Sequence, residues 1–425
     1  MSTSNLGASW QQPIHWPGAI RAPAQAVLGA ETLFKAALVF AMLALTVLDR
    51  FGARVTSDFS VPPALIAMYG LVLVLFVAGA GTVQRAGAAS YCLVVCVASL
   101  SYLLNSMLDL QSQASGTALL LIAVLYAPFA VSLRDNDIAP RLWRWTMELY
   151  IGFAVLVGIA GIAQFFMQFL WQPEWLFDYT PMLPESVRAS GGWNTVYPVA
   201  GWIKSNGFFL REPSIFSVAM ALGLLCEASL RRRRWILALL GLAIFLSYSG
   251  SGLLCLGAAL LFPLRRRSII VAVAVVAVLV PVYLYLGDAL NLTYTVERVD
   301  EINNERSSAY CRFVYPGAAA LEHMDANGWT SVLGNGPGTM SRMGGTCPDG
   351  TQTTYGKLLF EYGLAGVVAF GFLIIAALNR AGAPLRLRVG LGVTWLLLGG
   401  NLASSEILLT IYLLSALWPK RAASG

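Results

Sequence analysis

Residues 231–267 read RRRRWILALLGLAIFLSYSGSGLLCLGAALLFPLRRR. Two arginine clusters, Arg231–Arg234 and Arg265–Arg267, close an uncharged apolar stretch that Tyr248-Ser-Gly-Ser-Gly252 interrupts midway. Glycine and serine at such a spot mark a turn inside apolar sequence. Arginines in short connections mark the cytoplasmic side of a membrane. Both clusters are on one side only if residues 235–264 form two short helices that enter the bilayer, turn and come back.

Working outward from this hairpin, a hydrocarbon core of about 30 Å takes about 20 apolar residues in helix. Apolar runs of that kind lie near 31–49, 62–82, 89–108, 115–133, 147–170, 209–229, 268–286 and 356–378. A second interrupted run, 389–418, is broken by Gly399-Gly-Asn-Leu-Ala-Ser-Ser-Glu406 and reads as another pair of short helices. The expected fold class is therefore an all-α polytopic membrane protein with about twelve transmembrane helices. Residues 1–30 are expected to form a cytoplasmic tail, and 31–425 a single transmembrane domain. Holding Arg231–Arg234 inside also places Arg21, Lys35, Arg85, Arg134, Arg141, Arg144, Arg380, Arg386, Arg388, Lys420 and Arg421 inside. Both termini are then cytoplasmic, and two long connections, 171–208 and 287–355, face outside.

Composition agrees. Of the 425 residues, 57% are hydrophobic and 12% charged, against about 25% charged in an average soluble domain. A soluble enzyme, a disordered chain and a nucleic-acid binder are excluded. The net charge of +6 follows mostly from orientation.

Cys92, Cys96, Cys226 and Cys255 fall inside spans and read as small core residues. Cys311 and Cys347 share the second outer loop, where an oxidising environment predicts a disulfide; two unpaired thiols are the alternative. The only histidines are His15 and His323, and no CxxC, HExxH or phosphate-binding loop appears. Neither a metal nor a cofactor is expected.

The outer loops carry an excess of arginine that the topology rule does not explain: Arg50, Arg54, Arg188, Arg211, Arg298, Arg306, Arg312 and Arg342, with Lys204 and Lys357. Some must pair with acids such as Asp300, Glu301, Glu305 and Glu322, Arg298 and Arg306 foremost. The planar fork of Arg also binds phosphate oxygens in pairs. Arg211 stands in Asn206-Gly-Phe-Phe-Leu-Arg-Glu-Pro-Ser214, at the start of an apolar helix. Pro213 suits its first turn, and Ser214 is placed to satisfy its free N–H groups. The plain alternative is an Arg211–Glu212 pair anchoring the helix end. Arg312 precedes an amphipathic stretch, 313–324, then His323, then Gly334-Asn-Gly-Pro-Gly338, whose turn needs residues without a Cβ and exposes backbone N–H groups.

This order, followed by Thr353-Thr-Tyr-Gly-Lys-Leu-Leu-Phe-Glu-Tyr-Gly-Leu-Ala-Gly366, resembles the bacterial O-antigen ligase and Wzy-type polysaccharide polymerase superfamily. Its pattern is an Arg-bearing loop helix, a G-x-G-x-G turn and a helix with Glu-x-Gly-x-x-Gly; Glu361, Gly363 and Gly366 match the last. Ten residues separate His323 from Gly334, as in the ligases. The likeness covers roughly 200–380 and the layout of spans. It implies a metal-independent, inverting glycosyltransferase in the bacterial inner membrane, working at its periplasmic face. The donor would be a glycan on undecaprenyl diphosphate, in contact with the bilayer. Arg211 and Arg312, with Arg188, Lys204 and Arg342 behind them, would hold the diphosphate, helped by the backbone of Gly334, Gly336 and Gly338. His323 would be the base, with Glu212 as its competitor. A chain-length-regulating co-polymerase is left open as a partner.

Ligases of this group carry an Arg at the outer turn where this chain has Ser249-Gly-Ser-Gly252. With the Arg-Glu-Pro-Ser segment, this favours a polymerase over a ligase. A secondary transporter or flippase of anionic lipid-linked substrates is the remaining alternative, weakened by the lack of internal repeats and of membrane-embedded acids.

Overall fold

The computed structural model describes residues 24–55, 60–108, 113–189, 201–263, 310–326, 328–342, 352–398 and 400–420, with positions 198–199, 270, 277, 281, 285, 304, 307 and 347. Its long apolar runs become helices wherever they are described, and the amphipathic loop stretch adds one more. They are α1 (Ala24–Leu45), α2 (Pro63–Val77), α3 (Arg85–Leu108), α4 (Gly116–Tyr126), α5 (Ala139–Met167), α6 (Pro213–Leu230), α7 (Arg234–Leu246), α8 (Gly250–Leu261), α9 (Tyr315–Ala326), α10 (Thr354–Arg380), α11 (Leu385–Leu397) and α12 (Ser405–Ile411). Four of them, α3, α5, α6 and α10, are long and apolar enough to cross a membrane; α2, α4, α7, α8 and α12 are apolar but shorter. The expected span 268–286 lies outside the described residues apart from single helical positions.

Large apolar side chains crowd the outside of the bundle as well as its core. Leu73, Phe76, Leu120, Phe372 and Ile375 are all exposed, and so are Cys92 and Cys96 of α3, which are outward-facing rather than core residues as expected; only Cys226 and Cys255 are buried. In water such a surface would be an aggregation hazard; against acyl chains it costs nothing. Inside, one continuous apolar cluster runs from Phe34 to Trp418.

Both interrupted runs are helix pairs, as the glycine- and serine-rich breaks require. Between α7 and α8 the chain turns through Tyr248 at φ 46°, and the Ser249 hydroxyl caps α8 by accepting from the Ser251 N–H. Between α11 and α12 the Ser404 side chain caps in the same way, accepting from Ile407 N–H.

Connections meet in two groups. At the basic end, strands β1 (Gly81–Val83) and β2 (Val131–Leu133) pair antiparallel. There Arg134 N–H donates to Ala80 O (2.7 Å) and Leu133 N–H to Leu417 O (2.7 Å), while the Arg380 fork reaches Ala416 O and Phe129 O, both at 2.9 Å. At the other end Ser115 N–H donates to Pro337 O (2.8 Å), Gly400 N–H to Gln352 O (2.9 Å) and Gly52 N–H to Val187 O (2.9 Å). This grouping is the one that an alternating chain of spans produces.

Boundaries differ where polar residues sit inside a span or apolar ones outside it. Helix α1 begins at Ala24, inside the expected 1–30 tail, and ends at Leu45 rather than 49. The Thr46 hydroxyl bonds back to Met42 O (2.7 Å) and Leu48 N–H to Leu43 O (2.9 Å), which turns Asp49 and Arg50 inward. Pro128, which has no N–H to give, ends α4 early, and the chain continues as a tight turn into β2. Helix α5 starts at Ala139, eight residues before the apolar run, because Pro140 opens a first turn that takes in Arg141 and Arg144. The end of the first outer loop is also not solvent-facing: Ser205 and Asn206 are fully buried against α5, where Ser205 donates to Gly161 O (2.9 Å) and Asn206 accepts from Gln164 (2.8 Å).

Candidate functional site

Arg50 was expected only among the outer basic residues, and Arg211 as a ligand of the diphosphate. The structure spends both on the protein. The Arg50 side chain is wholly buried. Its Nη1 donates to Asp178 (2.6 Å) and Thr180 (3.0 Å), its Nη2 to Phe177 O (2.9 Å) and Leu210 O (2.7 Å), and its Nε to Phe209 O (3.3 Å). The Tyr179 ring lies 4.9 Å from its carbon. Every nitrogen of the fork is thus committed to tying the first outer loop to the segment before α6.

Arg211 donates from its backbone N–H (3.0 Å) and Nε (3.2 Å) to one oxygen of Asp49, and from Nη2 to the other (3.0 Å). The same Nη2 reaches Glu406 Oε1 at 2.9 Å. Burial works against its charge, but the two carboxylates outweigh burial and raise its pKa above the ordinary arginine value. Glu212, the alternative partner, is not used. It takes the extended conformation that starts α6 and accepts from the Ser214 hydroxyl (2.7 Å), so Ser214 does not serve the helix N–H groups either. Pro213 occupies the first turn as expected. Two carboxylates on one guanidinium leave a net negative charge, so an incoming phosphate would have to displace Glu406, the more accessible at 18% exposure. This weighs against Arg211 as the principal grip on a diphosphate.

The glycine turn is likewise turned inward. Gly334, Gly336 and Gly338 have φ of 73°, 98° and 76°, a region that favours glycine. Their N–H groups do not wait for a ligand. Gly334 donates to Thr330 O (2.8 Å), Asn335 to Phe360 O (2.9 Å) and Gly336 to Glu361 O (3.0 Å), while Gly338 and Met340 N–H bond the Glu361 carboxylate. The reason lies in α10, which is broken at Gly363 (φ 60°, ψ −161°). A break frees carbonyls upstream, and in a membrane these must find partners. Phe360 O and Glu361 O find them in the glycine turn, and Glu361 O also accepts from Ser101 of α3 (2.9 Å). From the same helix Asn105 donates to Gly334 O (3.1 Å). The Glu-Tyr-Gly and Gly-Asn-Gly-Pro-Gly motifs are therefore two halves of one joint. A backbone cradle for phosphate at Gly334, Gly336 and Gly338 is replaced by a plug for a broken helix.

Cys311 and Cys347 form a disulfide (S–S 2.10 Å, Cα–Cα 5.3 Å). Arg312 is the next residue, within a wide helical turn (Tyr310–Val314) that leads into α9. This helix covers the expected amphipathic stretch, shifted by two residues. It packs on α10, where Gly356 admits Pro316 and the Tyr355 hydroxyl donates to Phe313 O. The Arg312 Nε is buried and has no hydrogen-bond partner among the described residues. His323 is in α9, but its side chain, like Arg298, Asp300, Glu301, Glu305 and Arg306, lies outside the described residues. Of the other basic candidates, Arg188 donates from Nη2 to Pro181 O (3.0 Å) and Leu183 O (2.7 Å) while its Nε, like that of Arg312, is buried without a partner among the described residues; Arg342 donates to Gln113 O (2.9 Å), and Lys204 is buried. Arg211 and Arg312 thus stand on separate supports: the first on the ends of α1 and α12, the second on the disulfide-closed loop against α10.

Asp49, Glu406, Ser101 and Asn105 were missed as participants. Asp49 and Glu406 had a signal, a carboxylate at the end of an apolar run; the two α3 side chains had none. Among the described residues no three His, Cys, Asp or Glu side chains gather as a metal site would. Compared with known proteins, the chain matches no family model, no curated protein and no solved structure.

Proposed function

We propose that this protein is a polymerase of lipid-linked polysaccharide repeat units. It would transfer a glycan from undecaprenyl diphosphate to a second lipid-linked unit at the periplasmic face of a bacterial inner membrane. The observation that carries the reading is Arg312: a guanidinium with a buried, unpartnered Nε, beside a disulfide, in a chain whose helices are suited to a bilayer. A buried donor without an acceptor is costly, of order 1–3 kcal/mol, and a phosphate oxygen would repay it.

In this reading the acceptor hydroxyl attacks the anomeric carbon from the side opposite the diphosphate. The new C–O bond forms as the anomeric C–O bond to phosphorus breaks, its electron pair leaving with undecaprenyl diphosphate. Arg312 neutralises the charge that develops there. The hydroxyl proton passes to a base, His323 or Glu212. The Oε2 of Glu212 is held by Ser214, which fixes the direction of its carboxylate. Arg211 keeps a supporting role, reaching a phosphate only when Glu406 yields.

The test is to mix purified protein with a lipid-diphosphate repeat unit, without nucleotide or added metal. A ladder of products supports a polymerase. A single transfer to lipid A-core makes it a ligase instead. Redistribution between leaflets without transfer makes it a transporter, and refutes the proposal.

A further inference from the structure

The basic end of the bundle holds a cleft of about 270 Å³ between α5 and the start of α7, lined by Glu148, Ile151, Gly152, Val155, Arg233, Trp235 and Ile236. It lies at the opposite end from the site above. Of the four consecutive arginines that lead into α7, Arg233 lines the cleft, and Arg231, Arg232 and Arg234 adjoin it along the chain. Two are matched by acids: Arg231 pairs with Glu148, and Arg233 with Glu227 (2.7 Å). Arg232 and Arg234 are exposed and have no carboxylate partner among the described residues; Arg232 turns outward at φ 56°, its Nε on Ala228 O (3.1 Å). The segment bordering the cleft therefore carries two unmatched positive charges, Arg232 and Arg234, next to an apolar floor.

That floor continues along the bundle. On α5, Gly152, Leu156 and Ile159 are exposed at helical spacing, and on α7 Trp235, Leu242 and Phe245 are. A charged mouth, an indole at its edge and an apolar track leading away match the parts of a phospholipid: an anionic headgroup, an interface and an acyl chain. A soluble anion would use the mouth and leave the track bare. We infer that this cleft is a binding site for an anionic diacyl phospholipid of the surrounding bilayer, its phosphate held by Arg232 and Arg234 and one acyl chain lying between α5 and α7. The inference is independent of the proposed transferase activity.

Native mass spectrometry of the full chain in detergent tests it, with phosphatidylglycerol, phosphatidylcholine of the same acyl chains, and inorganic phosphate as probes. Phosphatidylglycerol should be retained in preference to phosphatidylcholine, and phosphate should not displace it at equal concentration. Removing both unpaired charges, Arg232→Gln with Arg234→Gln, should weaken retention roughly thirty-fold. Gly152→Trp provides an independent check. A Cβ there meets nothing within 4 Å, so the ring can fill the floor without disturbing the fold, and it should expel the lipid with all four arginines intact. Equal retention of the two lipids, displacement by phosphate, or native binding by both variants would overturn the assignment.

Discussion

Replacing Gly363 by Ala should break the joint between α10 and the glycine turn. The added Cβ would sit 2.5 Å from Val332 C, 2.6 Å from Val332 O and 2.8 Å from Gly334 N. All three are backbone atoms, so no side chain can swing away. The conformation itself, φ 60° with ψ −161°, costs a residue with a Cβ about 1–3 kcal/mol. Pushing the turn away would also leave Phe360 O without its partner, at about 1–3 kcal/mol, while Glu361 O would keep only Ser101. The total is about 2–6 kcal/mol, a large share of the stability of many proteins. Gly371 in the same helix is the control, because a Cβ there meets nothing within 4 Å. Gly371→Ala should be neutral or stabilise by up to about 1 kcal/mol. Unfolding can be followed through the buried thiols of Cys226 and Cys255 with a thiol-reactive dye, after the exposed Cys92 and Cys96 are changed to Ser. Melting of Gly363→Ala within 1–2 °C of Gly371→Ala, on the roughly 2–4 °C per kcal/mol scale of mid-sized domains, would refute the account of the joint.

Asp49→Asn should cost about 3–5 kcal/mol, since it leaves Arg211 without its main buried counter-charge, whereas Glu406→Gln should cost under about 1 kcal/mol because Asp49 remains; thermal melts of the two in detergent decide. Reducing Cys311–Cys347, which closes a separation of 36 residues, should lower stability by about 3–4 kcal/mol, read as a lower melting temperature with reductant that a Cys311→Ser variant does not show. Arg312→Lys should lose most polymer formation in cells lacking the native gene, and Arg312→Ala nearly all of it, at normal membrane levels, since a charge-assisted contact of about 1.5–3 kcal/mol is roughly ten- to a hundred-fold in rate. Arg54→Ala is the comparison: its 3.3 Å pair with Glu185 is largely exposed, so polymer should be near normal.

The helical architecture was legible because membrane spans announce themselves by bulk hydrophobicity, and both helix hairpins by glycine and serine breaks in it. Helix ends were less so. A polar residue such as Thr46 ends α1 by bonding to its own backbone, and Pro128 ends α4, inside runs that remain apolar on average. The acids that answer Arg211 could not be paired with it from sequence, since Asp49 and Glu406 lie 162 and 195 residues away along the chain. The nearest-neighbour alternative, Glu212, fails for a geometric reason: an extended residue opening a helix directs its side chain away from the one before it. The glycine turn was identified as needing glycine, which is correct, yet its purpose depended on the break at Gly363, and a positive φ inside an apolar helix leaves no mark in composition.

The joint at Gly363 also bears on how the chain is made. Ser101 reaches its acceptor, Glu361 O, across 260 residues of sequence. At roughly 5–20 residues per second of synthesis, α3 is in place for roughly 13–52 s before that acceptor exists. During the wait its Ser101 and Asn105 must be served by water, by the insertion machinery or by passing neighbours. The late arrival of α10 then closes the bundle on a helix inserted early, so a ribosome that stalls in the final third should leave an α3 that is inserted but loosely held, and recognisable to a membrane protease.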